Sequence, residues 1–565
     1  MDPLRRTMTC SDEAPLSLPV ISRGLISVGV LEYFVPPAPY NLLEPIHGIV
    51  KIRMERMIKG ILLFSLFSLS VAVAACSSGE SGSSNGSSSS TASTERIVYL
   101  ADQDINGVSE LYLVGSSTKL NPPLSQGKNV LDFQITPDKR AVVYRADQDT
   151  NNVFELYRVE FANPGVSTKL NSSLPVGGDV DRAVITPDSS SVLYVADQTT
   201  EGVSELYRVP FATPGVSTKL NSPLVTGGNV FFDIKTTPDS SAVVYRATQA
   251  TAKIIELYRV PLATPGVSTK LNEALPPNAD VETFKITQNG ALVAYTVQQR
   301  ISPSTPPGGT DFLDEIYSVA FATPDQSTKF NGPIARNTAL GPSVFVGRYD
   351  ITPDSSAVVY TLTGGSDDVR LLYHVPFATP GQSTRLDGGL TIHTFAIRPD
   401  SSGVVFESSV QSLSESSELF IVPFATPGVR TQLYGPLVSG GRRQSLRSVP
   451  GFAIAPDNSS VVYIDDENND AYEIYRVPFA TPGVRTKLNG PMVAGGMVDS
   501  DTLNGSFQGS APVIAPDSSA VLYRASQTTA GVFELYRVPF ATPGVSTKLN
   551  GPLTSGGDVT GHIVQ

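Results

Sequence analysis

The chain has 565 residues, 40% of them hydrophobic and 17% charged, with 47 Gly, 44 Pro and no Trp. That length far exceeds one minimal core, and the Gly, Pro, Thr, Val, Tyr and Phe spread along it read as an all-β protein with many turns. A net charge of −12 argues against nucleic acid as the main partner, and two cysteines, Cys10 and Cys76, support neither a disulfide framework nor a cysteine zinc site.

Residues 57–76 read MIKGILLFSLFSLSVAVAAC. Lys59 supplies a positive start, and Ile61 to Val73 form an apolar run too short to be preferred as a spanning helix. Val73-Ala74-Ala75-Cys76 resembles the bacterial lipobox. The resemblance implies that Cys76 is acylated and opens the mature chain; an ordinary signal peptide or membrane anchor is the alternative. SSGESGSSNGSSSSTAST then reads as a flexible tether. Ser77, rather than Asp, after the cysteine implies by the same resemblance an outer-membrane location in a bacterial envelope. A secretory signal normally opens its chain. Residues 1–56 are therefore expected to be a non-native upstream extension, with translation starting at Met57 or Met54. The expected division is 57–75 as signal peptide, 76–94 as lipidated cysteine and tether, and 95–565 as one folded domain.

From Glu110 onward a segment close to ELYRVPFATPGVSTKLN recurs, with copies starting at Glu110, Glu155, Glu205, Glu256, Glu315, Leu371, Glu418, Glu473 and Glu534. The spacing, about 45 to 61 residues, is that of a four-stranded propeller blade. Residues 130–171 show how one copy folds. VLDFQI alternates as a first strand, and TPDKR turns at Pro137-Asp138. AVVYRA is the second strand, DQDTNN a polar hairpin loop and FELYRVEF the third strand. Pro164-Gly165 fits a type II turn, and STKLN is a polar edge strand. Repetition of this meander predicts a β-propeller of about nine four-stranded blades, eight remaining an alternative. IVYLADQ near Arg96 is a second strand without a first, and the terminal DVTGHIVQ is a first strand without a second. The two are expected to pair in one blade and close the ring.

ITPDSSAVVY at 351–360, followed by strands of the ELYRV type, resembles the TolB-type, WD40-like propeller repeat over roughly residues 95–565. Pro-Asp recurs at 137, 187, 238, 353, 399, 456 and 516, with Gln288-Asn289 in its place once. Where the family often has Gly after Pro-Asp, this chain has Ser or Lys. TolB carries an extra N-terminal domain and six blades, so its partners do not transfer.

The TPDSS and FATPGV turns share one face and are nearly uniform. Irregular segments fall on the other face: 298–314, 332–347, 435–451 and 490–511. This elaborated face is the expected binding surface, with Arg300, Arg442, Arg443, Arg447, Asp499 and Asp501 as candidates. Asp102, Asp104 and Asn106, repeated as Asp147, Asp149 and Asn151, have the alternating oxygen spacing of calcium loops, with a polar hairpin as the plain alternative. The repeat Glu persists in blades lacking that pattern and is expected to have a structural partner such as a neighbouring Arg. His374, His393 and His562 lie in strand contexts, and no nucleophile elbow, phosphate loop or His-rich metal motif occurs. The expected function is therefore a monomeric, lipid-anchored, non-enzymatic binding or scaffold propeller for an envelope protein or glycan, needing no cofactor. Two alternatives stay open. One is a carbohydrate-active or other hydrolytic propeller, which requires clustered carboxylates at the mouth of the axial channel. The other is a calcium-stabilised adhesion module.

Overall fold

The computed structural model describes residues 95–565 apart from 117, 302–310, 333–342, 365–368, 410–416, 435–451, 466–471 and 500–511. The signal, Cys76, the tether, Arg442, Arg443, Arg447 and Asp501 lie outside the described residues, as does much of each irregular segment. Among the described residues no helix is long and apolar enough to cross a membrane.

The protein is all-β and propeller-like. Its strands form antiparallel meanders, numbered here in chain order: the first (97–113 with 559–564), second (130–169), third (180–219), fourth (230–270), fifth (279–329), sixth (344–385), seventh (391–432), eighth (452–487) and ninth (513–548). Each from the second to the ninth has four strands, and the fifth and sixth join in one sheet through a parallel bridge at Leu313 and Val344. Second strands such as Ala141–Ala146 are buried along their whole length, which is why they read as near-continuous apolar runs. Their tyrosines stack on those of the third strands, as with Tyr144 on Tyr157 at 5.5 Å between ring centroids.

The core lies between successive meanders. Val143, Leu156 and Leu170 of the second pack against Val180, Ile185 and Tyr194 of the third. The same pattern continues along the chain, and Leu522 and Leu535 of the ninth pack against Tyr99, Ala101 and Val559 of the first. Each fully buried Leu or Val contributes about 1.5–3 kcal/mol. Ile97–Ala101 pairs on one side with Glu110–Leu113 and on the other with Val559–Val564, so the two ends of the domain share one sheet.

The uniform turns couple one meander to the next. Ser189, Ser240, Ser355, Ser401 and Ser518 take positive φ near 60° in the TPDSS turn, where Gly would be unstrained. Their hydroxyls explain the preference. Ser189 Oγ accepts from the Asp138 N–H of the preceding meander at 3.0 Å, and Ser240 Oγ does the same for Asp188 at 3.0 Å. The Gly of most Pro-Gly turns also reaches back: the N–H of Gly215 donates to the Leu170 carbonyl at 2.9 Å and that of Gly266 to Leu220 at 2.8 Å. Arg158 lies over Phe211 and Arg259 over Phe321, each ring belonging to the following meander and each 4.7 Å away. The repeat Glu does have a structural partner, but it is Lys rather than Arg. Lys219 meets Glu205 at 2.8 Å, Lys270 meets Glu256 at 3.1 Å and Lys548 meets Glu534 at 2.7 Å.

Candidate functional site

The first strands of the third, fourth and fifth meanders lie against one another and form a common inner surface. Near its start, each first strand from the second to the seventh meander slips register against its neighbour: between Val130 and Asp132, Val180 and Arg182, Val230 and Ile234, Val281 and Thr283, Val346 and Tyr349, and Ile392 and Thr394. Such bulges bend a strand and re-aim side chains. Here they fall at the end nearest the irregular loops.

An arginine braces some of these bulges from the preceding meander. Arg145 donates through Nε to Asp132 Oδ2 at 2.8 Å, and through Nη1 to the carbonyls of Val180 at 2.9 Å and Asp181 at 2.5 Å. Arg246 and Arg524 repeat the gesture to Val281 O at 2.9 Å and Val559 O at 2.7 Å. The planar, multi-donor guanidinium suits this double duty on a carboxylate and carbonyls.

Charged side chains gather on one arc of this surface. Asp181 is half-buried and accepts from Ser204 Oγ at 3.3 Å. Burial, then the charges of Asp197 and Asp179, push its carboxyl up to about 7 against the opposing pull of Arg145 and Ser204. Deeper in the next meander lies Asp233, 8% exposed. Burial would raise it, but Lys235 and Arg246 outweigh that and hold its carboxyl below the usual range. Lys235 Nζ donates to Asp233 Oδ1 at 2.5 Å. Glu282 is raised, first by burial, with Asp280 adding to the effect and Arg246 opposing it. Lys285 meets Asp350 at 2.9 Å, with Arg348 3.7 Å from the other oxygen. Against burial, these two cations keep Asp350 low. Each cation stands over an aromatic ring of the next meander: Lys235 over Phe284 at 4.3 Å, Lys285 over Tyr349 at 5.6 Å and Arg348 over Phe395 at 5.2 Å. The charges then stop, and Thr394 and Ala396 take the corresponding first-strand positions in the seventh meander.

The arc therefore combines a carboxyl that still holds its proton near neutrality with a carboxylate held ionised. Arg182, bonded in sequence to Asp181, lies within electrostatic reach of Asp233. Two carboxyls driven apart in this way can divide the roles of general acid and base. Among the described residues no group of three or more His, Cys, Asp or Glu side chains is placed to hold a metal ion.

The residues singled out from sequence sit elsewhere. Asp147 engages Oδ1 with the Asn129 N–H at 2.6 Å and Oδ2 with that of Asn152 at 3.0 Å. Asp102 likewise accepts from the N–H groups of Gly107 and Asp558. Asp104 pairs with Lys119 at 2.8 Å and Asp149 with Lys169 at 3.5 Å, while Asn106 and Asn151 are exposed. Asp197 caps its own loop in the manner of Asp147 without the alternating acids, accepting from Gly202 N–H at 3.0 Å and Asp179 N–H at 2.5 Å. Arg300 is exposed at the end of its strand, within electrostatic reach of Glu282. Asp499 is not displayed on the loop face: it is buried and ion-paired with Arg524. His374 stacks on Phe424 at 4.2 Å. His562 is 1% exposed, and among the described residues neither ring nitrogen has a hydrogen-bond partner. Burial and the nearby Arg524 push it down to about 3.

The inner-arc residues were missed. The available signal was that first strands differ between copies, as in DVDRAVI, NVFFDIKT and VFVGRYDI, while second and third strands barely change.

No family model and no curated protein matches the chain. Among solved structures it is similar to dipeptidyl peptidase 4 of Porphyromonas gingivalis, at 10% identity and a TM-score of 0.47, over 75% of this chain and 60% of that one. It is similar to an oligogalacturonate lyase of Vibrio parahaemolyticus, at 15% identity and a TM-score of 0.37, over 74% of this chain and 98% of that one. It is also similar to a prolyl endopeptidase, at 12% identity and a TM-score of 0.37, over 69% of this chain. The chain spans about half of that endopeptidase, 53% of its length. All three are enzymes, which runs against the expectation of a non-enzymatic chain; the reactions they catalyse are said of them alone.

Proposed function

We propose that this chain is a closed nine-bladed propeller that hydrolyses a glycan-type substrate at the charged arc of its axial channel. In this reading Cys76 carries a lipid anchor, and the tether holds the propeller on the envelope. The observation that carries the proposal is the half-buried Asp181, braced through its own carbonyl by Arg145 at 2.5 Å, with Asp233 held ionised on the first strand of the next meander. The reading requires these carboxyls to face the mouth of the axial channel. Chain ends that share one sheet, and a core cluster joining the ninth meander to the first, support the closed ring.

The division of labour follows from the two environments. The Asp181 carboxyl gives its proton to the leaving oxygen as the glycosidic bond breaks. The Asp233 carboxylate accepts a proton from the attacking water, whose oxygen bonds to the sugar carbon. Lys235 and Arg246 keep Asp233 ionised, and Arg145 fixes the backbone that aims Asp181. Release of reducing ends from a glycan panel tests the reading. The wild-type chain turns over at least one glycan, and Asp181→Asn lowers the rate by about 10²–10⁴-fold without changing the melting temperature. An Asp181→Asn chain as fast as wild type refutes the assignment.

A further inference from the structure

The hydrolase reading uses Lys235 and Arg246 to hold Asp233 ionised and leaves the further cations of the arc, Lys285 and Arg348, without a role. Lys235, Arg246, Lys285 and Arg348 line the deeper part of the arc, against two carboxylates held ionised there, Asp233 and Asp350. Each carboxylate is shared: Asp233 lies between Lys235 at 2.5 Å and Arg246 at 4.0 Å, and Asp350 between Lys285 at 2.9 Å and Arg348 at 3.7 Å. Against these four cations stand Asp233, Asp350 and Glu282, the last raised by burial, so the local balance is positive in a chain whose net charge is −12.

Like charges also stand close. The ammonium of Lys235 lies within electrostatic reach of both Lys285 and Arg246. Adjacent buried cations repel, and a fold tolerates them where an anion completes the set. Arg246 gives a second sign. It is 8% exposed, and among the described residues its Nε makes no hydrogen bond, standing 4.0 Å from Asp233 Oδ2, while Nη1 is engaged with the Val281 carbonyl. A buried donor at that distance from its carboxylate is better satisfied by an acceptor brought within hydrogen-bond range. The cations remain reachable: the side chains of Lys235, Lys285 and Arg348 keep 20%, 22% and 21% of their surface exposed. Their seats over Phe284, Tyr349 and Phe395 fix where the positive heads stand. The seventh meander offers no continuation of the row.

We propose that this part of the arc is an anion subsite, in which Lys235, Arg246, Lys285 and Arg348 receive an acidic oxygen group of the substrate, so that the substrate is an acidic glycan. The proposal rests on the hydrolase reading for the identity of the substrate, and on the cation set alone for its charge. Carboxylate and sulfate share the required chemistry.

Calorimetric binding to the full chain tests it, with a uronate hexasaccharide, a sulfated hexasaccharide and a neutral hexasaccharide as probes. At least one acidic probe binds about tenfold or more tightly than the neutral one, and added salt weakens that binding. The better acidic probe identifies carboxylate or sulfate. Lys285→Met and Arg246→Met each lose about tenfold or more in affinity for the acidic probe, while Lys285→Arg keeps it. Melting curves of the same variants show whether a loss reflects unfolding, and the Lys285→Arg comparison stands if Lys285→Met fails to fold. Neutral probes binding as tightly as acidic ones, or no acidic probe binding at all, overturn the subsite. Binding of an acidic glycan without turnover leaves the subsite standing and sinks the hydrolase reading. Turnover confined to neutral glycans does the reverse.

Discussion

The turn face and the inner arc come from the same repeats, yet they use polar groups in opposite ways. On the turn face polar atoms at the joints face partners in the neighbouring meander, as with Ser189 and Asp138 or Gly215 and Leu170. A residue there is constrained from two sides, so the copies stay alike. On the inner arc, equivalent positions carry Asp132, Arg182, Asp233, Thr283 and Arg348 in successive meanders. Bulged strands free these side chains from their ladder, and nothing in the repeat demands that they match. Uniformity marks the joints of the molecule, and departure from uniformity marks its chemistry.

Substitutions can break or sharpen that contrast. The largest effect is expected from Arg145→Met, which strands the 9% exposed Asp132 without its cation and releases the bulge carrying Asp181. Removing one partner of a buried pair costs about 3–5 kcal/mol, readable by urea unfolding. A loss under about 1 kcal/mol would place Arg145 among ordinary surface arginines.

His562 comes next, and its effect depends on pH. It occupies the position held by Phe133, Phe284 and Phe395 in other meanders, where an aromatic packs into the core. Its folded pKa is depressed below its ordinary value of 6.5 to about 3, so the unfolded chain binds the proton more readily. The stability it contributes is present above pH 6.5 and lost as pH falls from 6.5 towards 3, at up to about 1.4 kcal/mol per unit. His562→Phe is expected to flatten that part of the stability profile. An unchanged slope would show that His562 does not govern the acid sensitivity of the sheet shared by the two ends.

Asp147→Ala removes the acceptor of two backbone amides and should cost about 1–3 kcal/mol. Millimolar calcium should leave the wild-type melting temperature unchanged, because these oxygens are already engaged. A clear upward shift would restore the cation-loop reading. The smallest effect is expected at Ser240→Gly. It relieves a φ of 58° but loses the bond to the Asp188 N–H, so the two terms of about 1 kcal/mol nearly cancel. Ser240→Ala keeps the strain, loses the bond and should be the less stable of the two.

The meander was legible because its markers act locally. Pro164-Gly165 makes its turn wherever it stands, and AVVYRA is apolar enough to be buried on both faces. The chain ends were legible for the same reason, as a strand pattern with one member missing at each terminus. The arc was not legible. Alternation in VDRAVI places the adjacent Asp181 and Arg182 on opposite faces, and only the contact between first strands of successive meanders brings Arg182 within reach of Asp233. The alternating acids of residues 102–106 and 147–151 are ambiguous in sequence, because a carboxylate that caps a hairpin has the same spacing as one that binds an ion. Asp499 looked like an exposed loop acid, since sequence does not reveal that Arg524 reaches it.

The most direct test of the central claim is kcat/KM from about pH 5 to 9 for the wild type and Asp181→Asn. With Asp181 acting as the acid near its raised pKa of about 7, the wild-type rate falls on the alkaline side of that value, and the variant loses the rate at every pH. A wild-type profile flat through neutrality, with a variant that matches it, would contradict the account.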